Sequence, residues 1–368
     1  MEIEIGQEKL ARALSVTSRV AVGAKATLPI LSNVLIKVDG KRVSLTATNL
    51  DMAVVDYVPV SNAKDGVITA PARLLAEFVQ NLPKEEKVKI TLDGNRIKIK
   101  AGKYSSVING SPADDFPELP GIDEEKSVAY KMGVDEFKAG ISEVIVAVSG
   151  DTTKPALTGV YFNTDDTALY VAATDGYRMA EKKFIDKIQS EVKAIVPAAS
   201  LQEVLRSITD EVEEIEILFD NNQVRFRLGE LEITSKLIDG TFLDYRQLFP
   251  KNNEIEVEDD RDELLRIVKM AALFARESNR VIACVADSEK KTFSVSSIAN
   301  EIGENESKID ADVKTSGSVK LDSRFLIDAL NAIGGDKVKI SFSTTMSPVL
   351  ITSDNNKNYR HLVMPLDS

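Results

Sequence analysis

Apolar residues recur along this chain at two spacings, one belonging to the face of a helix and one to a half-buried strand, and the order of the two kinds of run comes round three times. Within Pro71–Leu82, Leu75, Phe78, Val79 and Leu82 share one helical face, and they return as Leu201, Val204, Leu205 and Ile208 at an offset of 126. A third copy, Leu326, Ala329, Leu330 and Ile333, follows at an offset of 251 from the first, close to twice that period. Each repeat opens with another amphipathic segment, marked by Leu10 and Leu14, Phe137 and Ile141, and Leu264 and Val268, successive pairs lying 127 residues apart. After the second helix of each repeat, Val88-Lys89-Ile90, Ile215-Glu216-Ile217 and Val338-Lys339-Ile340 alternate as strands do. Asp93-Gly94-Asn95 and Asp220-Asn221-Asn222 then supply turn chemistry before a second alternating run, which predicts hairpins.

The pattern predicts an α+β fold with two helices and many strands in each of three similar units. A period this long exceeds the roughly 20–50 residues of solenoid repeats, so the units are expected to be domains. Loop-forming stretches at Pro120-Gly121-Ile122-Asp123 and Pro250-Lys251-Asn252-Asn253 place the domains at residues 1–122, 128–252 and 253–368. A chain of like domains closes into a ring when the rotation at each junction is right.

Composition removes most catalytic readings. One cysteine, Cys284, and one histidine, His361, leave no intrachain disulfide and make a zinc centre implausible. Neither a G-x-S-x-G elbow nor a phosphate-cradling G-x-x-x-x-G-K-[ST] loop occurs. Paired acids at Asp114-Asp115, Asp165-Asp166 and Asp259-Asp260 are the remaining candidate metal ligands, as in a two-metal nuclease, but adjacent side chains on an extended segment diverge and cannot chelate together. No enzymatic activity, metal or cofactor is therefore expected. With 46 basic against 58 acidic residues the net charge is −12, so any nucleic-acid contact must be confined to one surface. No apolar run approaches the ~18 residues of a membrane span, and the N-terminus lacks a secretory pattern, so a cytoplasmic protein is expected.

Four segments spread over all three repeats resemble the bacterial DNA polymerase III beta subunit, the sliding clamp: Thr27-Leu-Pro-Ile-Leu-Ser-Asn-Val-Leu, Ala173-Thr-Asp-Gly-Tyr-Arg-Met-Ala, Ser235-Lys-Leu-Ile-Asp-Gly-Thr-Phe-Leu-Asp-Tyr-Arg and Leu362-Val-Met-Pro-Leu. The resemblance implies three clamp domains per subunit and two subunits head to tail in a ring. It also implies a processivity factor that slides on duplex DNA without reading sequence and docks the DNA polymerase III alpha subunit, the clamp loader and other proteins carrying a clamp-binding motif. In this family a pocket between the second and third domains takes a short linear peptide. Its matching positions here are Leu157, Thr174, Gly176, Tyr177, Arg178 and Met179, then Leu243, Leu248, Phe325, Met346 and Pro348, and finally Leu362, Val363, Met364, Pro365 and Leu366. Tyr177, Met179, Gln247 and the Asp367-Ser368 ending depart from the best-known member.

Matching to the family's DNA contacts gives Lys25 and Arg73, whereas Asp151, Pro155, Ala156 and Ala199 stand where the family has other contacts. The helices expected to line the hole mix basic residues, among them Arg12, Arg19, Arg206, Arg266 and Arg324, with acids such as Glu77, Glu203 and Asp328. For ring closure the resemblance implies that Ile108 faces Leu273 and Phe274, flanked by Arg96, Lys98 and Lys103 on one side and Glu301, Glu304 and Glu306 on the other. A different class stays open: a clamp-derived peptide-binding scaffold that does not encircle DNA, consistent with the acidic balance.

Overall fold

A computed structural model of the chain describes residues 1–22, 28–60, 62–119, 121–165, 168–186, 188, 190–250, 252–299, 303–343 and 346–366. The first repeat runs β1 (Glu2–Gly6), α1 (Gln7–Val22), β2 (Asn33–Asp39), β3 (Arg42–Thr48), β4 (Met52–Pro59), β5 (Asn62–Lys64), β6 (Gly66–Pro71), α2 (Ala72–Gln80), β7 (Lys87–Asp93), β8 (Arg96–Ala101) and β9 (Tyr104–Asn109). The second runs β10 (Val128–Gly133), α3 (Val134–Ile145), β11 (Gly159–Asp165), β12 (Ala168–Thr174), β13 (Arg178–Ile185), β14 (Lys193–Pro197), α4 (Ala198–Ser207), β15 (Glu214–Phe219), β16 (Gln223–Leu228) and β17 (Leu231–Lys236). The third runs β18 (Ile255–Asp260), α5 (Arg261–Ala275), β19 (Val281–Asp287), β20 (Thr292–Ala299), β21 (Gly303–Asp310), β22 (Gly317–Asp322), α6 (Ser323–Ala332), β23 (Lys337–Phe342), β24 (Val349–Thr352) and β25 (Tyr359–Val363). Apart from the short β5 the order is the same three times, as the apolar pattern predicts.

Periodicity explains the helices. Leu10, Leu14, Phe137, Ile141, Leu264 and Val268 are all buried, and so are Leu75, Leu201 and Leu326 of the second helices. Each such side chain contributes roughly 1.5–3 kcal/mol relative to exposure. Turn chemistry explains the hairpins: Gly94 takes φ +58° between Asp93 and Arg96, which pair in register. Asp220 Oδ1 accepts from the amides of Asn222 and Gln223, both at 2.8 Å. Cys284 is buried, and burial pushes its thiol up to about 12, so it behaves as a small core residue.

Packing divides the chain differently from the repeat. One compact unit is Met1–Val134 with Ser200–Leu237, the other Asp135–Ala199 with Ile238–Ser368, so the middle repeat contributes to both. In the first unit one sheet has the order β5-β1-β7-β8-β9 and the other β10-β15-β16-β17-β4-β3-β2-β6. In the second unit the orders are β14-β11-β12-β13-β25-β24-β23-β18 and β21-β20-β19-β22. Each eight-stranded sheet is thus two four-stranded halves from successive repeats. The halves meet at an antiparallel seam, β4 against β17 with Asp56 opposite Leu231, and β13 against β25 with Lys182 opposite Tyr359.

Local capping is explicit at α5, where Asp260 Oδ1 accepts from the amides of Asp262 and Glu263, each at 3.0 Å. Asp260→Ala is expected to lower stability by about 1 kcal/mol in urea denaturation. An unchanged midpoint would show that the cap contributes nothing.

Candidate functional site

In the second unit an apolar cluster gathers under one end of the β13–β25 seam. Ala172, Met179, Ile195, Phe242, Tyr245 and Leu362 are its buried members, with Ala156, Leu157, Tyr161, Ile238, Phe249 and Leu350 packed against them. Register brings Met179 and Leu362 together, since they are opposite one another and Leu350 is opposite Leu362 on the other side. Tyr161 and Phe242 stack with ring centroids 4.7 Å apart. Of the sequence-predicted positions, Met179 and Leu362 are buried and form the floor, Val363 is buried on the other face of β25, and Leu157, Pro348, Met364, Pro365 and Leu366 are half-buried. Tyr177 (64 %), Met346 (60 %), Leu248 (40 %) and Leu243 (37 %) stay exposed, which is unusual for large apolar side chains.

The turn between β12 and β13 sets the rim. Thr174 Oγ1 donates to the Arg178 carbonyl at 2.6 Å and accepts from the Gly176 amide at 3.0 Å. Asp175 Oδ1 accepts from the amides of Tyr177 and Arg178 at 2.9 and 3.0 Å. Gly176 sits at φ +93°, a left-handed conformation that glycine takes without strain. The first repeat builds the same turn with the same bonds from Thr48 and Asn49, but holds Leu50 at φ +75°. Tyr177, exposed by this turn, lies parallel to Phe325 of α6 with centroids 6.5 Å apart. Arg178 bonds Asp175 at 3.0 Å and Asp328 at 2.5 Å and lies 4.7 Å from the Phe325 centroid, so it fixes the rim to α6. The Met364 amide donates to the Tyr177 carbonyl at 2.8 Å and that of Leu366 to Lys320 at 2.9 Å, holding the C-terminal segment beside it.

Sequence reasoning missed the underlayer of Phe242, Tyr161, Tyr245 and Leu350. It also missed Arg246, which lies 4.2 Å over the Tyr170 ring and 3.4 Å from the buried Glu181, itself paired with Arg360. The Asp244-Tyr245-Arg246 stretch carried the available signal, an arginine amid aromatics. His361 is fully buried next to this floor. The single Tyr359 hydroxyl proton is donated to the Glu143 carbonyl at 3.0 Å, so His361 Nδ1, 2.7 Å away, is the donor to that hydroxyl and Nε2 is unprotonated. Burial, helped by the charge on Arg178, pushes the imidazole down to about 3.

Basic residues on the helices are mostly matched by acids. Within the first unit Arg12 pairs with Glu211 at 2.9 Å, Arg19 with Glu203 at 2.6 Å and Arg73 with Glu77 at 2.8 Å. In the second, Arg266 pairs with Glu263, and Arg324 with Asp322 at 2.6 Å. Lys25 and Glu301 lie outside the described residues. Asp151 ties down a turn by accepting from the Thr153 hydroxyl and amide at 2.7 and 2.9 Å, bonds that hold its carboxyl below the usual range. Pro155 opens a single 3-10 turn ending at Leu157, Ala156 packs on the apolar cluster, and Ala199 is in the first turn of α4.

Ile108 is buried in its own sheet, and the exposed apolar residues of β9 are Tyr104 and Val107. Leu273 is 56 % exposed on α5 beside half-buried Phe274. Arg96, Lys103 and Glu304 are exposed, Lys98 is bonded to Asp93 at 2.7 Å, and Glu306 is paired with Lys308 at 3.1 Å. Among the described residues no cluster of three or more His, Cys, Asp or Glu could hold a metal, and no helix is long and apolar enough to cross a membrane.

Three like α+β domains joined strand to strand, with an open apolar patch at a seam, define a repeat-built protein with an exposed apolar surface in its second unit. Family models of the DNA polymerase III beta subunit match the chain as its N-terminal domain over residues 1–120, its central domain over 131–244 and its C-terminal domain over 246–367. A beta sliding clamp of Staphylococcus aureus is 28 % identical over 377 residues, covering 100 % of this chain and 99 % of that one, and one of Staphylococcus epidermidis is 29 % identical over 378 at the same coverage. The DNA polymerase III subunit beta of Pseudomonas aeruginosa superposes with a TM-score of 0.94 at 27 % identity over the whole of both chains. The sliding clamp of Bacillus subtilis gives 0.94 at 28 %, covering 100 % of this chain and 99 % of that one. The chain belongs to the bacterial DNA polymerase III beta-subunit family, the sliding clamps.

The His361 environment has a measurable consequence. The unfolded imidazole takes up a proton below pH ~6.5 and the folded one only near pH 3, so stability present above 6.5 is lost as pH falls. Between these limits the wild type should lose about 1.4 kcal/mol per pH unit more than His361→Gln. Parallel urea-denaturation profiles would refute the neutral, buried assignment.

Proposed function

We propose that two copies of this chain close head to tail into a ring around duplex DNA and dock partner proteins by short peptides at the exposed apolar patch. As a sliding clamp the chain is a DNA polymerase processivity factor. The family is one of processivity factors rather than enzymes, and we assign the chain no catalysis, metal or cofactor.

Strand pairing carries the ring reading. The last strand of the second repeat, β17, pairs with β4 of the first, and the last strand of the third, β25, pairs with β13 of the second. By the same correspondence β9 belongs with β21, and among the described strands these two are sheet ends without that pairing. Within one chain the series has no further member, so a second copy supplies it, and heterologous contacts of this kind close a ring of two. Carrying either seam across puts Tyr104 or Ser106 of β9 opposite Ser307 of β21 in the other copy. Arg96 and Lys103 then approach Glu304, which aids register and encounter. Leu273 holds in α5 the place of Arg19 in α1, which reaches Glu203 across the first seam, and Glu77 of α2 holds the place of Glu203. Leu273, Met270 and Leu74, exposed by 56, 45 and 52 %, are thereby brought to one interface. Domains at 1–122, 128–252 and 253–368 fit this scheme, each bringing one strand of each kind.

A clamp that slides should hold phosphates loosely and leave base edges unread. The paired state of Arg12, Arg19, Arg73, Arg266 and Arg324 fits that, because a phosphate must compete with a carboxylate already in place. At the docking patch, Tyr177, Leu243, Leu248 and Met346 suit apolar anchors of a peptide, with the fixed floor of Met179 and Leu362 beneath. Partners are the replicative polymerase's alpha subunit, the loader and other bearers of such motifs, in the cytoplasm. A scaffold that does not encircle DNA is less favoured, since it leaves β9 and β21 unexplained.

Retention on DNA tests the ring. Loaded onto nicked circular DNA by a clamp loader, the protein should co-elute with the circle and be released when it is linearised; loss from the intact circle would favour the scaffold. Leu273→Asp should shift the dimer towards monomer by at least tenfold in Kd, about 1.4 kcal/mol, in sedimentation equilibrium. An unshifted dimer would place the interface elsewhere. Tyr177→Ala should weaken an apolar clamp-motif peptide by roughly tenfold without altering the dimer. Unchanged peptide affinity would remove Tyr177 from the site.

A further inference from the structure

The two seams use corresponding positions, and among the described residues only one of them pairs its buried carboxylate with a lysine. In the second unit Lys182 Nζ pairs with Glu143 at 2.8 Å and donates to Asn356 Oδ1 at 2.7 Å. Asn356 Nδ2 donates to Glu143 at 2.7 Å, and Tyr359, opposite Lys182 in register, donates to the Glu143 carbonyl at 3.0 Å. One repeat earlier the positions of Lys182, Glu143 and Tyr359 hold Asp56, Val16 and Leu231, with Asp56 opposite Leu231, and the loop that carries Asn356 is replaced by the two-residue turn Gly229-Glu230 after Leu228. A carboxylate stands where the lysine was, and aliphatic side chains stand where Glu143 and Tyr359 were.

Asp56, Val16, Leu228 and Leu231 line a cavity of about 180 Å³ in the first unit. Asp56 is 1 % exposed, and its Oδ1 has no hydrogen-bond partner among the described residues. Thr209 Oγ1, on the same wall, is also buried without one. Leaving an ionised carboxylate buried and unpaired is costly. Burial accordingly pushes the Asp56 carboxyl up to about 6, against the pull of Arg12 and with the repulsion of Glu230. The guanidinium groups of Arg12 and Arg19 at the cavity are matched by Glu211 and Glu203, and Arg206 stands exposed at its edge. What the site lacks is therefore a compact positive charge with hydrogen-bond donors, at the place the Lys182 ammonium takes in the other seam.

We propose that this cavity binds a small cation carrying N–H donors, an ammonium ion or short primary alkylammonium, seated on Asp56 Oδ1 with Thr209 Oγ1 as second acceptor. Two protein oxygens are too few for a hard metal ion, which takes six or more. Water could satisfy the hydrogen bonds but not the charge. The charged groups facing Asp56 are Arg12 and Arg19 from α1, Arg206 from α4 and Glu230 from the β16–β17 turn, so binding strengthens as Asp56 ionises through pH about 6. This site is independent of ring closure.

Thermal unfolding of the full chain in ammonium, methylammonium, potassium and tetramethylammonium chlorides at equal ionic strength tests it. At pH 8 ammonium and methylammonium should raise the wild-type Tm by a few degrees over the other two salts, by mass action on the folded state. At pH 5 the difference should vanish, and it should be absent from Asp56→Asn at both pH values. Equal Tm in all four salts at pH 8, an equal rise in potassium, or the same ammonium effect in Asp56→Asn would overturn the proposal. Should Asp56→Asn fail to fold, methylammonium titration of the wild type decides: saturable movement of the Asp56 and Tyr57 amide resonances at pH 8 supports the site, and no movement overturns it.

Discussion

Antiparallel pairing between the last strand of one repeat and the preceding repeat is the interaction on which this structure depends. A four-stranded half-sheet leaves backbone donors and acceptors exposed along its edge, and an unpaired edge seeks a partner. Here β17 satisfies β4 and β25 satisfies β13, so edge chemistry is turned into continuous eight-stranded sheets. The pairing also explains why compact units and sequence repeats divide the chain differently: backbone hydrogen bonds and the apolar faces beneath them follow the sheets, and the sheets span repeats.

The seams also position what the protein displays. Met179 and Leu362 form a common floor only because β13 and β25 are in register, and the turn that precedes β13 then carries Tyr177 to the surface beside Phe325. Arg178 does structural work at this rim, held by Asp175 and Asp328. At the other seam the turn has the same hydrogen bonds, but Thr234 and Ser235 stand on β17 near where Leu362 and Val363 stand on β25. One backbone plan, repeated, thus yields an exposed apolar patch at one junction and a buried carboxylate at the other.

Charge is arranged with similar economy. A net charge of −12 is ill suited to holding DNA, and the helix arginines are already met by carboxylates at 2.6–2.9 Å in Arg12, Arg19 and Arg73. The exposed pairs, Arg12–Glu211 and Arg73–Glu77, contribute little to stability, whereas Glu203 is buried under Arg19. The effect of these pairs is to blunt the field of each guanidinium, which suits a protein that must remain mobile on a polyanion.

Much of this was legible in the sequence. Leu10, Phe137 and Leu264 mark the first helices and Leu75, Leu201 and Leu326 the second, because burial of one face imposes a helical period that any chain must obey. Asp93-Gly94-Asn95 marks a hairpin because the turn demands a left-handed residue. The family likeness, resting on whole segments, pointed to Tyr177, Leu248 and Met346, which are large apolar side chains left exposed. Ile108 was read as an interface residue, yet its side chain is buried in its own sheet while Val107 is exposed, since alternation leaves open which face of an edge strand meets solvent. The sequence alone determined the repeat and the α+β class, both of which follow from local spacing and residue type. Only the tertiary structure decided that β17 meets β4, that Asp56 lies buried opposite Leu231, and that His361 is a neutral core donor. Those outcomes depend on pairings between distant segments, and neither hydrophobic period nor turn chemistry encodes which strands become neighbours.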